Sequence, residues 1–151
     1  MIRSGGDPDF RLILDTFAYS HLRAGHPQVL DRVAKATVLI PTIVIGELEA
    51  GFTLGRREKE NRTLLAEFLA EPFVSILPVT PSVARHYGRL FADLRRAGTP
   101  IPVNDIWIAA TALDCGGHLL TFDRDFDKLP AVDRTVLPVP ERPSSPSRPT
   151  A

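Results

Sequence analysis

Short apolar segments alternate with longer stretches of helical periodicity along this chain, and this alternation constrains its fold more than any other feature. Four apolar runs have the length of buried strands, namely residues 11–14 (RLIL), 37–40 (TVLI), 74–77 (VSIL) and 118–121 (HLLT), and residues 135–137 form a weaker fifth. Buried strands joined by helical segments are typical of a parallel sheet with helices on its faces. The pattern therefore predicts an α/β sandwich with a mostly parallel sheet, in the order βααβααβααβ.

The segments between the predicted strands carry helix start and stop signals. Thr42 predicts the N-cap of a helix that ends at Gly55, and a second helix is expected over residues 61–69. Thr80 predicts the N-cap of a long helix, since the proline after it is well suited to the first helical position. Asn104 predicts the N-cap of the next helix, which a pair of glycines ends.

Length and composition fit one folded domain. A chain of 151 residues, 44% hydrophobic and 24% charged, can bury a single core and has the average make-up of a globular protein. We predict a folded body over residues 10–137. The polar start over residues 1–9 and the Pro/Ser-rich tail over residues 138–151 are expected to be flexible.

Charge and cysteine content narrow the functional classes only slightly. Eighteen Lys and Arg balance eighteen Asp and Glu, so any affinity for nucleic acid must come from local patches. The only cysteine, Cys115, excludes an intramolecular disulfide and a cysteine-rich zinc site. With no apolar run of membrane-spanning length and no secretory signal pattern, we expect a cytoplasmic protein that does not contact a membrane.

Four carboxylates lie near the carboxyl ends of predicted strands or early in the helices that follow. They are Asp15 after the first strand, Glu47 in the helix after the second, Asp105 at the start of the helix before the fourth, and Asp123 after the fourth. Ligand sites of such sheets lie beyond the carboxyl ends of the strands, so these side chains are expected to converge. Each also has a structural explanation alone, as a helix cap, a solvent-facing helical acid or a turn acid.

As a set, the four carboxylates point to metal chemistry. Converging carboxylates with no Lys or Arg in their motifs repel one another unless a cation lies among them. Oxygen ligands of this kind suit Mg²⁺ or Mn²⁺, which keep waters that a substrate phosphate can displace. The residues themselves therefore predict metal-assisted hydrolysis of a phosphodiester.

The motifs that contain these acids resemble those of the PIN-domain family, and especially its VapC-like toxins. They are LDT at residues 14–16, GEL at 46–48, NDIWIAATA at 104–112 and TFDRDF at 121–126, in the family's order and spacing. The similarity spans about residues 11–137. It implies a three-layer sandwich whose central, mostly parallel sheet of four to five strands is flanked by helices.

The resemblance also implies an activity. It is endonucleolytic cleavage of RNA by one or two Mg²⁺ or Mn²⁺ ions, in the toxin of a type II toxin–antitoxin pair that has a cognate antitoxin and forms a homodimer. The implied catalytic and metal-binding residues are Asp15, Glu47, Asp105 and Asp123, with Asp125 near the metal and Thr16, Thr121 and Asn104 in support. The chain departs from the family at Phe17, where many relatives have a small polar residue.

Residues outside the four motifs supply candidates for binding RNA and a partner. The first basic cluster comprises Arg56, Arg57, Lys59 and Arg62, and the second comprises Arg85, Arg89, Arg95 and Arg96; solvated helix faces are the alternative for both. Tyr19 or Trp107 could stack on a base, although the position of Trp107 within IWIAA favours a place in the core. None of the four histidines is expected to be catalytic. Ile43, Val44, Leu48 and Phe52 form an apolar helical face that could support the dimer.

Three other functions remain open at this point. A PIN-type nuclease could work in RNA processing or in structure-specific DNA cleavage, and a PIN domain could bind nucleic acid without catalysis. A phosphatase-like hydrolase could use Asp15 as its nucleophile. That chemistry usually has a second aspartate two positions later, where this chain has Phe17.

Overall fold

The computed structural model describes Asp7 and residues 9–140. Most of the two ends predicted to be flexible, residues 1–9 and 138–151, lies outside this part of the chain. The elements are β1 (Arg11–Leu14), α1 (Thr16–Arg23), α2 (Pro27–Ala34), β2 (Thr37–Pro41), α3 (Thr42–Leu54), α4 (Glu58–Leu69), β3 (Val74–Leu77), α5 (Pro81–Ala97), α6 (Val103–Cys115), β4 (His118–Thr121), a 3₁₀ helix (Arg124–Lys128) and β5 (Arg134–Val136). This order confirms the predicted α/β alternation.

The five strands form one sheet in the order β3-β2-β1-β4-β5, and every neighbouring pair is parallel. The central strand β1 pairs with β2 through Leu12 and Val38, and with β4 through Leu12 and His118. Its apolar residues Leu12, Ile13 and Leu14 are fully buried. Burial on both faces explains why β1 is continuously apolar in sequence rather than alternating.

The chirality of strand connections places helices on both faces of the sheet. The chain moves outward from β1 to β2 to β3 and then returns past them to β4. Because such crossovers are right-handed, α1 to α4 lie on one face and α5 and α6 on the other, as the predicted three layers require. No described helix combines the length and the apolarity needed to cross a membrane.

Two predicted helix caps are wrong, although the helices are present. Helix α3 begins at Thr42 itself, with Pro41 as the cap, and the Thr42 hydroxyl instead donates to the Leu77 carbonyl at 3.0 Å. Helix α6 is capped by Pro102, whose carbonyl accepts the Asp105 N–H at 3.1 Å, and Asn104 lies exposed in the first turn. In both cases an extended proline sets the helix entry, and no side-chain cap is needed.

The remaining boundaries agree closely with the sequence pattern. Thr80 caps α5 through its hydroxyl, which accepts the Val83 N–H at 3.2 Å, and Gly98 ends the helix in the left-handed conformation at φ 68°. Helix α4 begins at Glu58 rather than at residue 61. Acidic residues at Glu58 and Glu60 favour this earlier start, because negative charge stabilises a helix N-terminus.

Candidate metal centre

The four predicted acids come from four separate segments at the carboxyl edge of the sheet. Asp15 follows β1 and caps α1, whereas Asp123 follows β4 and caps the 3₁₀ helix. Asp105 lies in the first turn of α6, and Glu47 lies in the middle of α3. Neighbouring strands β1 and β4 therefore bring Asp15 and Asp123 to the same edge.

Asp15 is the most enclosed of these acids, with 4% of the residue exposed. Its Oδ1 accepts the Ala18 N–H at 2.8 Å, which is the usual bond of a helix N-cap. Its Oδ2 accepts a hydrogen bond from the Thr121 hydroxyl. Both carboxylate oxygens are thus oriented by the protein, and the helix cap predicted as an alternative role coexists with a place in the site.

Thr121 connects the two strand-end acids. Its hydroxyl donates to Asp15 and accepts the backbone N–H of Asp123 at 3.0 Å. Asp123 in turn accepts the Asp125 N–H on Oδ1 at 2.8 Å. These bonds fix the turn after β4, so that the acids of the TFDRDF motif are held in position by the same hydroxyl group that holds Asp15.

Asp105, Asp123 and Asp125 form a compact group of carboxylates. One oxygen atom from each lies within 4.8 Å of the others. Asp125 has a lysine partner, because Lys128 lies 3.3 Å away within the same 3₁₀ helix. The sequence interpretation overlooked Lys128, although its spacing of three residues is the spacing that a 3₁₀ turn brings together.

Glu47 lies near Asp15 and Asp105, and a residue of the LDT motif holds its side chain. The Thr16 hydroxyl donates to Glu47 Oε1 at 2.8 Å. Among the described residues, no Lys or Arg forms an ion pair with Asp15, Glu47, Asp105 or Asp123. The four acids therefore share one site in which their negative charges are uncompensated by the protein.

This crowding changes the acidity of two carboxyl groups. Burial, and then the nearby charges of Asp123 and Glu47, raise the pKa of Asp105 to about 7. Burial is also the main cause that raises the pKa of Asp15 to about 6, against the opposing effect of the hydrogen bonds from Thr121 and Ala18. A site that raises the pKa of its own acids is one that gains free energy when a cation binds.

The donor set fits a hard divalent cation. It consists of carboxylate oxygens, and the spacing within the group of Asp105, Asp123 and Asp125 allows one ion to contact several of them. Zinc sites usually contain histidine or cysteine ligands, and neither occurs in this group. The residues present therefore fit Mg²⁺ or Mn²⁺.

The other predicted site residues lie further from the acids. Asn104 is exposed and its side chain makes no hydrogen bond to any described residue, although it directly precedes Asp105. Arg56, Arg57 and Lys59 are exposed near the junction of α3 and α4. Arg62 is already engaged by Glu49 at 2.8 Å and Glu58 at 3.0 Å, so it is less available to a phosphate.

The proposed stacking and dimer residues need correction. Tyr19 is 2% exposed and packs on Phe68, so it cannot meet a base. Trp107 is half-buried and stacks on Tyr87 at a centroid distance of 4.0 Å, which agrees with the core alternative. Val44 and Leu48 are buried within the single chain, at 0% and 5% exposure, and cannot form a dimer face. The sequence pattern identified an apolar stripe but not the surface that covers it.

Comparison with known proteins adds an independent finding. Residues 12–132 match the PIN domain family. The chain is 34% identical to ribonuclease VapC4 of Mycobacterium tuberculosis, over 68% of this chain and 79% of that protein. It is 31% identical to ribonuclease VapC5 of the same organism, over 78% of this chain and 86% of that protein.

A solved structure shows the same similarity in three dimensions. The crystal structure of VapBC-5 from Mycobacterium tuberculosis, a member of the VapBC family of toxin–antitoxin systems, superposes with a TM-score of 0.64. The superposition covers 85% of this chain and 98% of that chain, at 26% sequence identity. The family match over residues 12–132 includes all four acid-bearing segments.

Proposed function

Because the chain belongs to the PIN-domain family, we propose that it is a metal-dependent endoribonuclease that serves as the toxin of a type II toxin–antitoxin pair. The family match confirms the resemblance indicated by the four motifs. The relatives named as VapC ribonucleases support RNA as the substrate, and the VapBC toxin–antitoxin structure supports a cognate antitoxin as the partner. Such a pair would act in the cytoplasm.

One observation carries the proposal, namely the convergence of acids from four segments without a neutralising base. Asp105, Asp123 and Asp125 lie close enough together to share one ion, although Lys128 offsets part of the charge of Asp125. Asp15 and Glu47 lie near enough to Asp105 to raise its pKa, and in this proposal they complete the site. A divalent cation, when bound, lowers the pKa of water and offsets the charge of the scissile phosphate. Mg²⁺ and Mn²⁺ are the ions that we propose for this site.

The protein's own groups have distinct tasks in this mechanism. The hydrogen bonds to both oxygens of Asp15 fix the orientation of this carboxylate, which would contribute to holding the ion. The Thr16 hydroxyl fixes Glu47 through Oε1, which leaves Oε2 without a hydrogen-bond partner among the described residues and able to accept a proton from the attacking water. No side-chain nucleophile is required.

The geometry argues against the phosphatase-like alternative. A nucleophilic carboxylate needs a free oxygen aimed at the phosphorus atom, whereas both oxygens of Asp15 are engaged and the residue is 4% exposed. A binding domain without catalysis has no need to keep four uncompensated acids together, because their repulsion costs stability. Among the nucleases, the named relatives favour the toxin over a processing enzyme.

Cleavage of a labelled single-stranded RNA by the purified protein tests the proposal. We expect cleavage with Mg²⁺ or Mn²⁺, none in excess EDTA, and none of single-stranded DNA of the same sequence. Asp123→Asn should abolish cleavage. The matched control is Asp127→Asn, because Asp127 lies in the same 3₁₀ helix but points to Arg134 at 3.1 Å and has a side chain 54% exposed.

Each result has a definite meaning. Loss of activity in Asp123→Asn together with full activity in Asp127→Asn supports the proposed site. Undiminished cleavage in EDTA would exclude a metal-dependent mechanism. Cleavage of DNA in preference to RNA would instead favour the structure-specific DNA nuclease.

A further inference from the structure

An apolar hollow adjoins the acids and is not used by the proposed mechanism. It has a volume of about 420 Å³ and is lined by Phe17, His21, Phe122, Asp123, Arg124 and Val139. This volume is in the range of small-ligand sites, about 300 to 1,000 Å³. Asp123 belongs both to the wall of the hollow and to the group of acids, so the two are continuous.

The walls of the hollow are aromatic. Phe17 lies 63% exposed, two residues after Asp15, which is unusual for a large apolar side chain next to charged groups. Phe122 also lines the hollow and is buried, and the His21 ring contacts Phe122 at a centroid distance of 4.1 Å. The exposed Phe17 ring beside these aromatic side chains provides a surface on which a flat, partly apolar group can stack.

The charged side chain of Arg124 at the rim of the hollow favours one class of ligand over others. Arg124 is exposed at the rim, and it forms no ion pair within the described part of the chain. A nucleotide combines a flat ring with a phosphate, and would place its base on Phe17 and a neighbouring phosphate near Arg124. A lone apolar side chain would use the rings but leave the cation unused.

We propose that this hollow binds one unpaired nucleobase of the RNA, next to the scissile phosphate, with the base stacked on Phe17. The inference rests on the proposed function, since it takes RNA as the substrate. It also gives a role to the residue at which this chain departs from the small polar side chain of many relatives. Stacking on one aromatic ring tolerates all four bases, so Phe17 would select for single-stranded RNA more than for sequence.

A double-mutant cycle between protein and RNA tests the stacking. The probes are an oligoribonucleotide that the protein cleaves and a series in which each nucleotide in turn is abasic. We expect one abasic position near the cleavage site to lower kcat/KM of the parent by about 5- to 150-fold, the range that loss of one stacked base gives. Phe17→Ala should lower kcat/KM on intact RNA to a similar degree, and should show no further loss at that abasic position.

Conservative variants separate stacking from general apolarity. Phe17→Tyr and Phe17→Trp should retain most of the activity, whereas Phe17→Leu should behave like Phe17→Ala. The matched control is Phe10→Ala, because Phe10 is 43% exposed and precedes β1, at the opposite edge of the sheet from the acids. Melting curves of all variants should match the parent closely, since Phe17 is largely exposed.

The inference and the proposed function fail in different ways. If the protein cleaves RNA but no abasic position lowers kcat/KM, the inference is wrong and the proposed nuclease function stands. The same holds if Phe17→Ala keeps full activity. A third outcome is that Phe17→Leu retains activity while the antitoxin inhibits Phe17→Ala more weakly than the parent. This result would assign the hollow to an antitoxin side chain and would also overturn the inference. If no RNA is cleaved, fluorescence anisotropy with a single-stranded oligoribonucleotide and its abasic series decides. Binding that depends on Phe17 and on one base supports the inference even when the nuclease function fails, and binding that depends on neither overturns it.

Discussion

Replacing Asp105 by Asn should make the metal-free protein more stable at pH 8. The carboxyl group of Asp105 is half-buried and faces the negative charges of Asp123, Glu47 and Asp15. Asparagine keeps nearly the same shape without the charge. The substitution therefore relieves repulsion in the folded state and changes little in the unfolded state.

The size of the effect follows from the acidity of this group. The pKa of Asp105 rises from 3.8 to about 7. At about 1.4 kcal/mol per pH unit, keeping Asp105 charged at pH 8 would cost the folded state at most about 4 kcal/mol, and solvent screening of this half-exposed carboxylate reduces that figure. An amide at this position also loses part of its hydration, so we expect a net gain of about 1 to 3 kcal/mol. For a chain of this length, that gain raises the Tm by roughly 2 to 10 °C.

The gain should depend on pH in a defined direction. A carboxyl group with a raised pKa in the folded state contributes stability below its unfolded pKa of 3.8 and loses it as the pH rises through about 7. The parent should therefore approach the variant in stability below about pH 3, where Asp105 is protonated in both the folded and the unfolded state. The difference should grow between pH 4 and 7 and be complete at pH 8.

Thermal melts with and without Mg²⁺ provide the measurement. Mg²⁺ at 100 times its Kd should stabilise the parent by about 2.7 kcal/mol and the variant much less, because the variant has lost a ligand. Asp31→Asn serves as the control, since Asp31 is exposed and pairs only with Lys35 at 3.0 Å. Equal Mg²⁺ shifts in parent and variant, or a lower Tm of the metal-free variant at pH 8, would refute the reasoning.

Three further expectations concern the hydroxyl at the site, the antitoxin and the oligomer. Thr121→Val should raise the pKa of Asp15 above about 6, because a stabilising hydrogen bond is lost; an unchanged carboxyl titration by NMR would contradict this. An inhibitory antitoxin should insert an Arg or Lys among the acids, so calorimetry should show weaker binding at high salt, and salt-independent affinity would argue otherwise. A homodimer should give twice 16.6 kDa in light scattering at micromolar concentration, and a monomer mass would count against it.

Strands β1 and β4 were predictable because burial on both faces gives a continuous apolar run. Residues 11–14, 74–77 and 118–121 were predicted with the observed bounds, although β3 at the edge of the sheet is exposed at Ser75 and Ile76. The N-caps of α3 and α6 were placed wrongly, at Thr42 and Asn104, because side-chain capping preferences say nothing about an extended proline whose carbonyl begins the helix. The preferences of single residues for the N-cap position therefore do not predict a helix that begins after an extended proline.

Only part of the site could be predicted from the sequence. The positions of Asp15 and Asp123 after strands predicted that they would meet, because parallel strands end at the same edge. The hydrogen bond from Thr121 to Asp15 links residues 106 positions apart, and neither local pattern nor motif spacing specifies it. The hollow beside the acids combines Phe17, Phe122 and Val139 from three distant segments, so it exists only after the chain has packed.

The order of the strands has a consequence for how this chain is made on the ribosome. The central strand β1 needs β4 as its neighbour, and β4 supplies Thr121 and the turn that bears Asp123. A nascent chain that has emerged only as far as α6 already contains Asp15, Glu47 and Asp105 but lacks Asp123, so it cannot complete the proposed metal site. By the proposed function, the chain therefore becomes active only late in its synthesis, once β4 has emerged. A partner that has been translated beforehand would already be present when the chain first becomes active.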